Sequence, residues 1–178
     1  MSRYVVRTLR STDFNTLMRL EQEVFGRTSD GVLGPYYVRL CCDFFADSCF
    51  MLEAEGEAKG YLLAFLKGRE LYCTTLALLP EVQGSRAILA LLRAFISEVS
   101  ERVDVCWFTV EADNEAARAL HAMMGAREVD VRPDFYGPGH ERIISRIERL
   151  QFEAVRNRLE RLGLVGSKKT RRQEVALA

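Results

Sequence analysis

The sequence predicts an α/β (α+β) fold: a mixed, mostly antiparallel twisted sheet of about seven strands with one parallel pair, flanked by helices. Three observations predict it. Residues 49–79 hold three strand-like runs joined by tight turns, CFMLEAE, GYLLAFLKG and ELYCTTLALL, the pattern of an antiparallel meander. A long helix-periodic stretch then leads to DVCWFTVEA, and a strand–helix–strand unit makes its two strands parallel. REVDVR and ERIISRI follow a short capped helix, and with the opening YVVRTL they complete the set of strands.

Each element has its own signal. After YVVRTL, Ser11-Thr12-Asp13 is a helix start, and Phe14, Leu17, Met18, Leu20, Val24 and Phe25 recur close to helical period until Gly26. A Gly/Ser/Asp loop runs to Gly34-Pro35, and Pro35 suits the first turn of a second helix over Tyr36–Phe45. Gly56-Glu57-Ala58-Lys59 and Lys67-Gly68-Arg69 read as the meander's turns. Beyond Pro80, Gln83-Gly84-Ser85 opens a helix with Ile88, Leu89, Leu91, Leu92, Phe95, Ile96 and Val99 on its apolar positions. Asn114 caps the next helix and Gly125 stops it. Pro133–His140 is a loop. ERLQFEAVRNRLERL is a charged C-terminal helix with an expected apolar stripe of Leu150, Val155, Leu159 and Leu162.

The chain of 178 residues suits one domain, and its formal net charge of zero points to neither a nucleic-acid nor a membrane partner. MSRYVVRTLRSTDF carries charges where a signal peptide needs an apolar run, and no stretch reaches transmembrane length. Cys41, Cys42, Cys49, Cys73 and Cys106 match no metal-ligand spacing; they read as buried inert thiols in a reducing, cytoplasmic setting. Trp107 reads as a core residue. Residues 166–178, with Lys168, Lys169, Arg171 and Arg172, read as a solvated disordered tail.

Two local patterns carry chemistry. Asn114-Glu-Ala-Ala117-Arg-Ala-Leu120-His121-Ala-Met-Met-Gly125-Ala126 is a capped helix directly after the βαβ unit. Gln83-Gly84-Ser85-Arg86-Ala87-Ile88 stands at a strand-to-helix junction, where unpaired backbone N–H groups and the positive end of the helix dipole favour a pyrophosphate. Together with the order of elements, these resemble the GNAT superfamily of acyl-CoA N-acyltransferases over roughly Tyr4–Ile147. The first matches the family pattern N-x-x-A-x-x-L-Y-x-x-x-G-F at Asn114, Ala117, Leu120 and Gly125, with His121 for Tyr and Ala126 for Phe. The second keeps Gln83 of Q/R-x-x-G-x-G/A, with Gly84 beside it, but places Arg86 and Ile88 where small residues are usual. The loop Arg132-Pro-Asp-Phe-Tyr136-Gly-Pro-Gly-His-Glu-Arg142 looks like the acceptor-lining loop of the protein N-terminal acetyltransferase branch.

The resemblance implies a GNAT-like domain over 1–147, a C-terminal helix over 148–165 and a tail over 166–178. It implies acetyl-CoA as co-substrate and a parallel strand pair splayed around the pantetheine arm. The arm would pair with Leu76, Ala77 and Leu78, with a backbone donor near Leu78 on the thioester carbonyl. The pyrophosphate would lie at Gln83, Gly84, Ser85, Arg86 and Ala87, and Asn114, Ala117 and His121 would flank the cofactor. His121, at the leaving-group position, could serve as acid, as base or as a hydrogen-bond partner of the cofactor. Thr109 stands where the N-terminal branch often has a Glu base, and Glu111 shares its strand face. Glu23 and Asp43 could instead hold the amine by charge, and Tyr136 could contact the acceptor. The functions implied are small-amine N-acetylation, peptide N-terminal acetylation, or a catalytically silent acyl-CoA-binding domain. A homodimer through the C-terminal helix or strand is also expected.

Overall fold

The structure is a computed structural model that describes residues 4–28 and 31–161. Its strands are β1 (Tyr4–Thr8), β2 (Phe50–Ala54), β3 (Glu57–Lys67), β4 (Glu70–Leu78), β5 (Val105–Val110), β6 (Arg127–Arg132) and β7 (Arg142–Glu148). Its helices are α1 (Phe14–Phe25), α2 (Pro35–Asp43), α3 (Ala87–Val99), α4 (Glu115–Met123) and α5 (Arg149–Arg161). The seven strands form one sheet in the order β1-β2-β3-β4-β5-β7-β6. All neighbours are antiparallel except β4 and β5, the expected parallel pair.

Strand alternation assigns the helices to faces. Tyr61 on β3 bonds Glu21 of α1, whereas Phe50, paired with Leu62, packs its ring on Phe95 of α3. Tyr61 and Leu62 are successive and point to opposite faces, so α1 and α3 cover opposite sides of the sheet. Leu17, Leu20, Val38 and Cys41 fill one side, and Leu91, Phe95, Ile96 and Val99 fill the other, all buried.

The parallel pairing is short. It runs from Glu70↔Val105 to Cys73↔Phe108, four pairs, and then the strands part. The cause is on the other edge of β4. Leu63 pairs with Thr75 and Ala64 with Cys73, which leaves Thr74 as the extra residue of a bulge. A bulge bends its strand, and this one bends β4 where its contact with β5 stops. Thr74 Oγ1 donates to the Leu63 carbonyl at 3.2 Å.

Several expectations need correction. The β2–β3 turn is tighter than Gly56–Lys59: Glu55 (φ 55°) and Gly56 (φ 84°) make a two-residue turn with both residues left-handed, the hairpin type that matches strand twist. α2 starts at Pro35 and ends at Asp43, two residues short of Phe45. On α5 the deeply buried residues are Phe152 and Arg156, while Leu150 is 75% exposed. Val155 and Leu159 pack as expected, and Leu162 lies outside the described residues, as does the 166–178 tail. Arg156 is held by Ser100 at 3.3 Å, Glu101 at 2.8 Å and Glu160 at 3.1 Å, so α5 packs on the end of its own α3. A second copy cannot extend the sheet at β7, because β5 and β6 occupy both its edges. Trp107 is half-buried, its Nε1 donating to Glu70 at 3.4 Å and Arg146 lying 5.6 Å above its ring.

All five cysteines are free; Cys73 is half-buried and the others are buried. Burial pushes the Cys42 thiol up to about 11 and the Cys73 thiol up to about 12, which leaves both protonated and unreactive. Among the described residues no helix is long and apolar enough to cross a membrane.

Candidate active site in the fork of the sheet

Where β4 and β5 part, a cleft of about 1010 Å³ passes between them. Tyr72–Leu76 line one side and Phe108–Glu111 the other. The fork therefore connects the two faces of the sheet, and each face brings different groups to it.

On the α3/α4 face the walls are Leu92, Phe95, Phe108, Asn114, Ala117, Leu120 and His121. α4 is positioned by Asn114, whose Oδ1 accepts from the Ala117 N–H at 3.0 Å, and it is stopped by Gly125 at φ 87°. His121 lies with its ring 4.6 Å from that of Phe108. Its Nδ1 is buried and has no hydrogen-bond partner. Burial pushes the imidazole below its ordinary pKa of 6.5, with Glu128 pulling weakly the other way. The ring is therefore neutral at pH 7. The residue lines the cleft, and a buried polar atom without a partner is rare enough to mark the ring as a candidate functional group.

On the α1/α2 face the fork is lined with hydroxyls. Tyr72 Oη donates to Thr109 Oγ1 at 3.1 Å, and Tyr37 Oη donates to Thr74 Oγ1 at 2.7 Å. Burial pushes the Tyr72 phenol up to about 12 and the Tyr37 phenol higher, so both remain protonated donors. Glu111 pairs with Arg142 Nη1 at 2.5 Å. The Arg142 guanidinium lies 5.1 Å from the centre of the Tyr136 ring, and Tyr136 is itself 61% exposed. His140 also reaches the cleft, on a loop closed by the Phe135 N–H to His140 O bond at 3.0 Å.

The residues singled out in the sequence thus fall into two groups. Glu111, Tyr136, His121, Asn114, Ala117 and Leu76 line the cleft; Ala77, Leu78, Gln83, Gly84, Ser85, Arg86 and Ala87 do not. The Ala77 and Leu78 side chains are buried. Leu79 N donates to Lys59 O, and ladder alternation therefore turns the N–H groups of Leu78 and Leu76 away from β3, toward the fork. Gln83 Nε2 holds the Leu78 carbonyl at 2.9 Å. Gly84 adopts φ 70°, and Ser85 Oγ donates to Val82 O at 2.6 Å and accepts from the Ala87 N–H at 3.1 Å. Gln83, Gly84 and Arg86 are exposed at the start of α3.

Glu23 and Asp43 are absent from the cleft: Glu23 pairs with Arg19 at 2.7 Å, and Asp43 with Arg39 at 3.7 Å. Glu21 is the acidic residue of α1 that reaches it, fully buried. Its sequence signal was legible, because Glu21 sits four residues after Leu17 and three before Val24, on the apolar stripe. Tyr37, Tyr72 and Arg142 gave no such signal: an aromatic in a helix or strand, or an arginine at the start of a strand, fits a packed surface equally well.

The sequence model of the acetyltransferase (GNAT) family matches residues 14–126. No curated protein matches the chain in sequence. Among solved structures, the ribosomal-protein-S18-alanine N-acetyltransferase from Escherichia coli is 22% identical with a TM-score of 0.68, covering 82% of this chain and 94% of its own. Diaminobutyrate acetyltransferase from Paenibacillus lautus, solved with L-2,4-diaminobutyric acid and coenzyme A, is 20% identical with a TM-score of 0.68, covering 84% and 96%. Arabidopsis thaliana Naa50, solved with the bisubstrate analogue CoA-Ac-MVNAL, is 14% identical with a TM-score of 0.69, covering 82% and 98%. These likenesses concern the fold, while the family match spans well over half of the sequence, and on that match the chain belongs to the acetyltransferase (GNAT) family.

Proposed function

We propose that the chain is an N-acetyltransferase that moves an acetyl group from acetyl-CoA to a primary amine by direct transfer in a ternary complex. The observation that carries this reading is the fork: an apolar face with an orphaned imidazole nitrogen opens through the sheet onto a hydroxyl-lined chamber. Two substrates can meet there from opposite faces, and placement supplies much of the rate gain.

The free edge of β4 suits the pantetheine amides, and the N–H groups of Leu76 and Leu78 suit the thioester carbonyl, where fixed donors stabilise the oxyanion. The N-terminus of α3, with Gln83, Gly84, Ser85, Arg86 and Ala87, suits the pyrophosphate. Asn114 and Ala117 border the arm on the α4 side. His121, neutral in its buried seat, donates an N–H to the thiolate as the C–S bond breaks. On the other face, Glu111, one of two carboxyl groups that line the cleft, takes the ammonium proton, directly or through water. Tyr136 contacts the acceptor, and Tyr72 and Thr109 lie at the crossing between the two halves. The neutral amine attacks the acetyl carbon, the C–S bond breaks, and the second proton that the nitrogen loses passes through water to the departing sulfur, which the His121 N–H stabilises by a hydrogen bond.

Peptide N-terminal acetylation is the second reading, favoured by the exposed Tyr136 at the chamber mouth. Calorimetric titration with acetyl-CoA, followed by a panel of small amines and free-amino-terminus peptides, tests both. Micromolar binding with turnover of small amines supports the first, and turnover of peptides alone supports the second. Binding without any turnover leaves a silent acyl-CoA-binding domain, and no binding at millimolar acetyl-CoA overturns the catalytic readings.

A further inference from the structure

Glu21 occupies a position where α1 otherwise buries Leu17 and Leu20. It is fully buried although it is a carboxylic acid. An aliphatic side chain would fill that stripe without the cost of removing a carboxyl group from water. Both oxygens are occupied. The Tyr61 phenol donates to Oε1, and the Leu33 backbone N–H donates to Oε2 at 3.0 Å. Burial and the neighbouring carboxyl push the Tyr61 phenol far up, so it remains the donor.

The two partners lie on different parts of the fold. Tyr61 stands on β3, in the sheet, fully buried. Leu33 lies in the stretch before α2, twelve residues beyond Glu21. Leu33 and Gly31, with Phe25 at the end of α1, line the α1/α2 half of the cleft. The neighbouring bonds are local: Gly31 N–H to Thr28 O at 3.4 Å, and Val38 N–H to Gly34 O at 3.1 Å. The carboxyl of Glu21 thus joins the wall of this half to the sheet beneath it.

We propose that Glu21 is a positioning residue for the acceptor: it anchors Leu33 to β3 and thereby sets the wall of the chamber that receives the amine. The inference rests on the N-acetyltransferase reading above and adds to it the residue that fixes the acceptor's space. Both Glu21 oxygens are already engaged by Tyr61 and Leu33, so its part is to hold the wall rather than to bind the amine. The donor side of the fork contains no part of this anchor, so its loss should fall on one substrate only.

The test uses the full chain with two acceptor probes, L-2,4-diaminobutyric acid and the peptide Met-Val-Asn-Ala-Leu with a free amino terminus. Absence of wild-type turnover with both, while acetyl-CoA binds, counts against the N-acetyltransferase reading and overturns this one with it. Where either turns over, Glu21→Ala should raise the acceptor KM about tenfold, the scale of one lost buried hydrogen bond, and leave the acetyl-CoA KM within about twofold. Glu21→Gln should restore the acceptor KM, because its amide oxygen still accepts from Leu33 and the Tyr61 hydroxyl can turn to accept from its NH₂. Hydrogen exchange should find the Leu33 amide protected in the wild type and exposed in Glu21→Ala. An unchanged acceptor KM in folded Glu21→Ala overturns the proposal, as does a Gln variant no better than Ala. Rapid exchange at Leu33 in the wild type overturns it even if Glu21→Ala fails to fold. In that case Glu21→Asp, one methylene too short to reach both partners, replaces Ala and must raise the acceptor KM where Gln does not.

Discussion

An imidazole and a phenol at one position of a helix do different chemistry, and position 121 holds the imidazole. A phenol keeps its proton to about pH 10, whereas an exposed imidazole titrates near 6.5. Burial drives His121 lower still, so it enters the reaction as a neutral donor. Removing it as His121→Ala should lower kcat by about 10–100-fold, the scale of one lost hydrogen bond to a charged atom, with little change in acetyl-CoA affinity. The pH dependence follows from the direction of the shift. The folded pKa lies below the unfolded one, so the unfolded chain binds the extra proton first as pH falls through about 6.5. His121 therefore subtracts stability progressively from about pH 6.5 down to its lowered folded pKa, and its penalty is complete below that. His121→Tyr should remove this part of the acid limb from a Tm–pH curve while keeping more turnover than His121→Ala. An acid limb of equal size in His121→Tyr would show that the ring is not buried in the neutral form. At this scale the sequence was informative where a motif fixed a position, as at Asn114 and His121. It was silent where chemistry depends on contact between distant segments, as with Tyr72 and Thr109 or Tyr37 and Thr74.

At the scale of elements, β4 owes its course to a close contact with β3 and to a bulge of its own. Gly60 lies so close to it that an added Cβ would stand 2.6 Å from both Ala77 O and Leu78 Cδ2. Backbone cannot yield as a flexible side chain can. Gly60→Ala should therefore cost about 1–3 kcal/mol in urea denaturation, the usual cost of overpacking. It should also weaken acetyl-CoA binding, because the displaced residues include the free edge of β4. Destabilisation with unaltered binding would separate the strand's packing from its proposed role. The second influence is the Thr74 bulge, and here sequence reading stops short. Period-two alternation marks ELYCTTLALL as a strand, but one extra residue in a run of half-buried Thr and Cys leaves no visible break. The parallel relation of β4 and β5 was legible from the intervening helix, while the length of their pairing was not. The stripe on α5 was misjudged for a related reason: Arg156 counts as polar in a periodicity, yet ion pairs with Glu101 and Glu160 let its stem be buried.

For the whole molecule, a ligand that bridges the fork must stabilise the fold by mass action. With acetyl-CoA at about 100 times its Kd, stability should rise by about 2.7 kcal/mol. For a chain of this size that corresponds to a rise in Tm of about 5–10 °C, measurable by scanning calorimetry. No shift at millimolar acetyl-CoA would mean that the fork does not take the donor. The strand count and the helix sequence were readable because each element carries its own period. The spatial order, with β7 inserted between β5 and β6, was not, since antiparallel partners separated by a loop leave the same local pattern in either arrangement.

The sheet is continuous as a ribbon, but its middle seam has only the four pairs between β4 and β5, against eight between β3 and β4. Viewed as a load-bearing object, the protein is two rigid plates joined along a short weld. A force that pulls β1 and β6 apart concentrates at the end of that weld, where a tear would start at Cys73 and Phe108 and run toward Glu70 and Val105. Anything that laces the open part of the seam, as an extended amide-bearing chain would, lengthens the weld and moves the point of failure elsewhere.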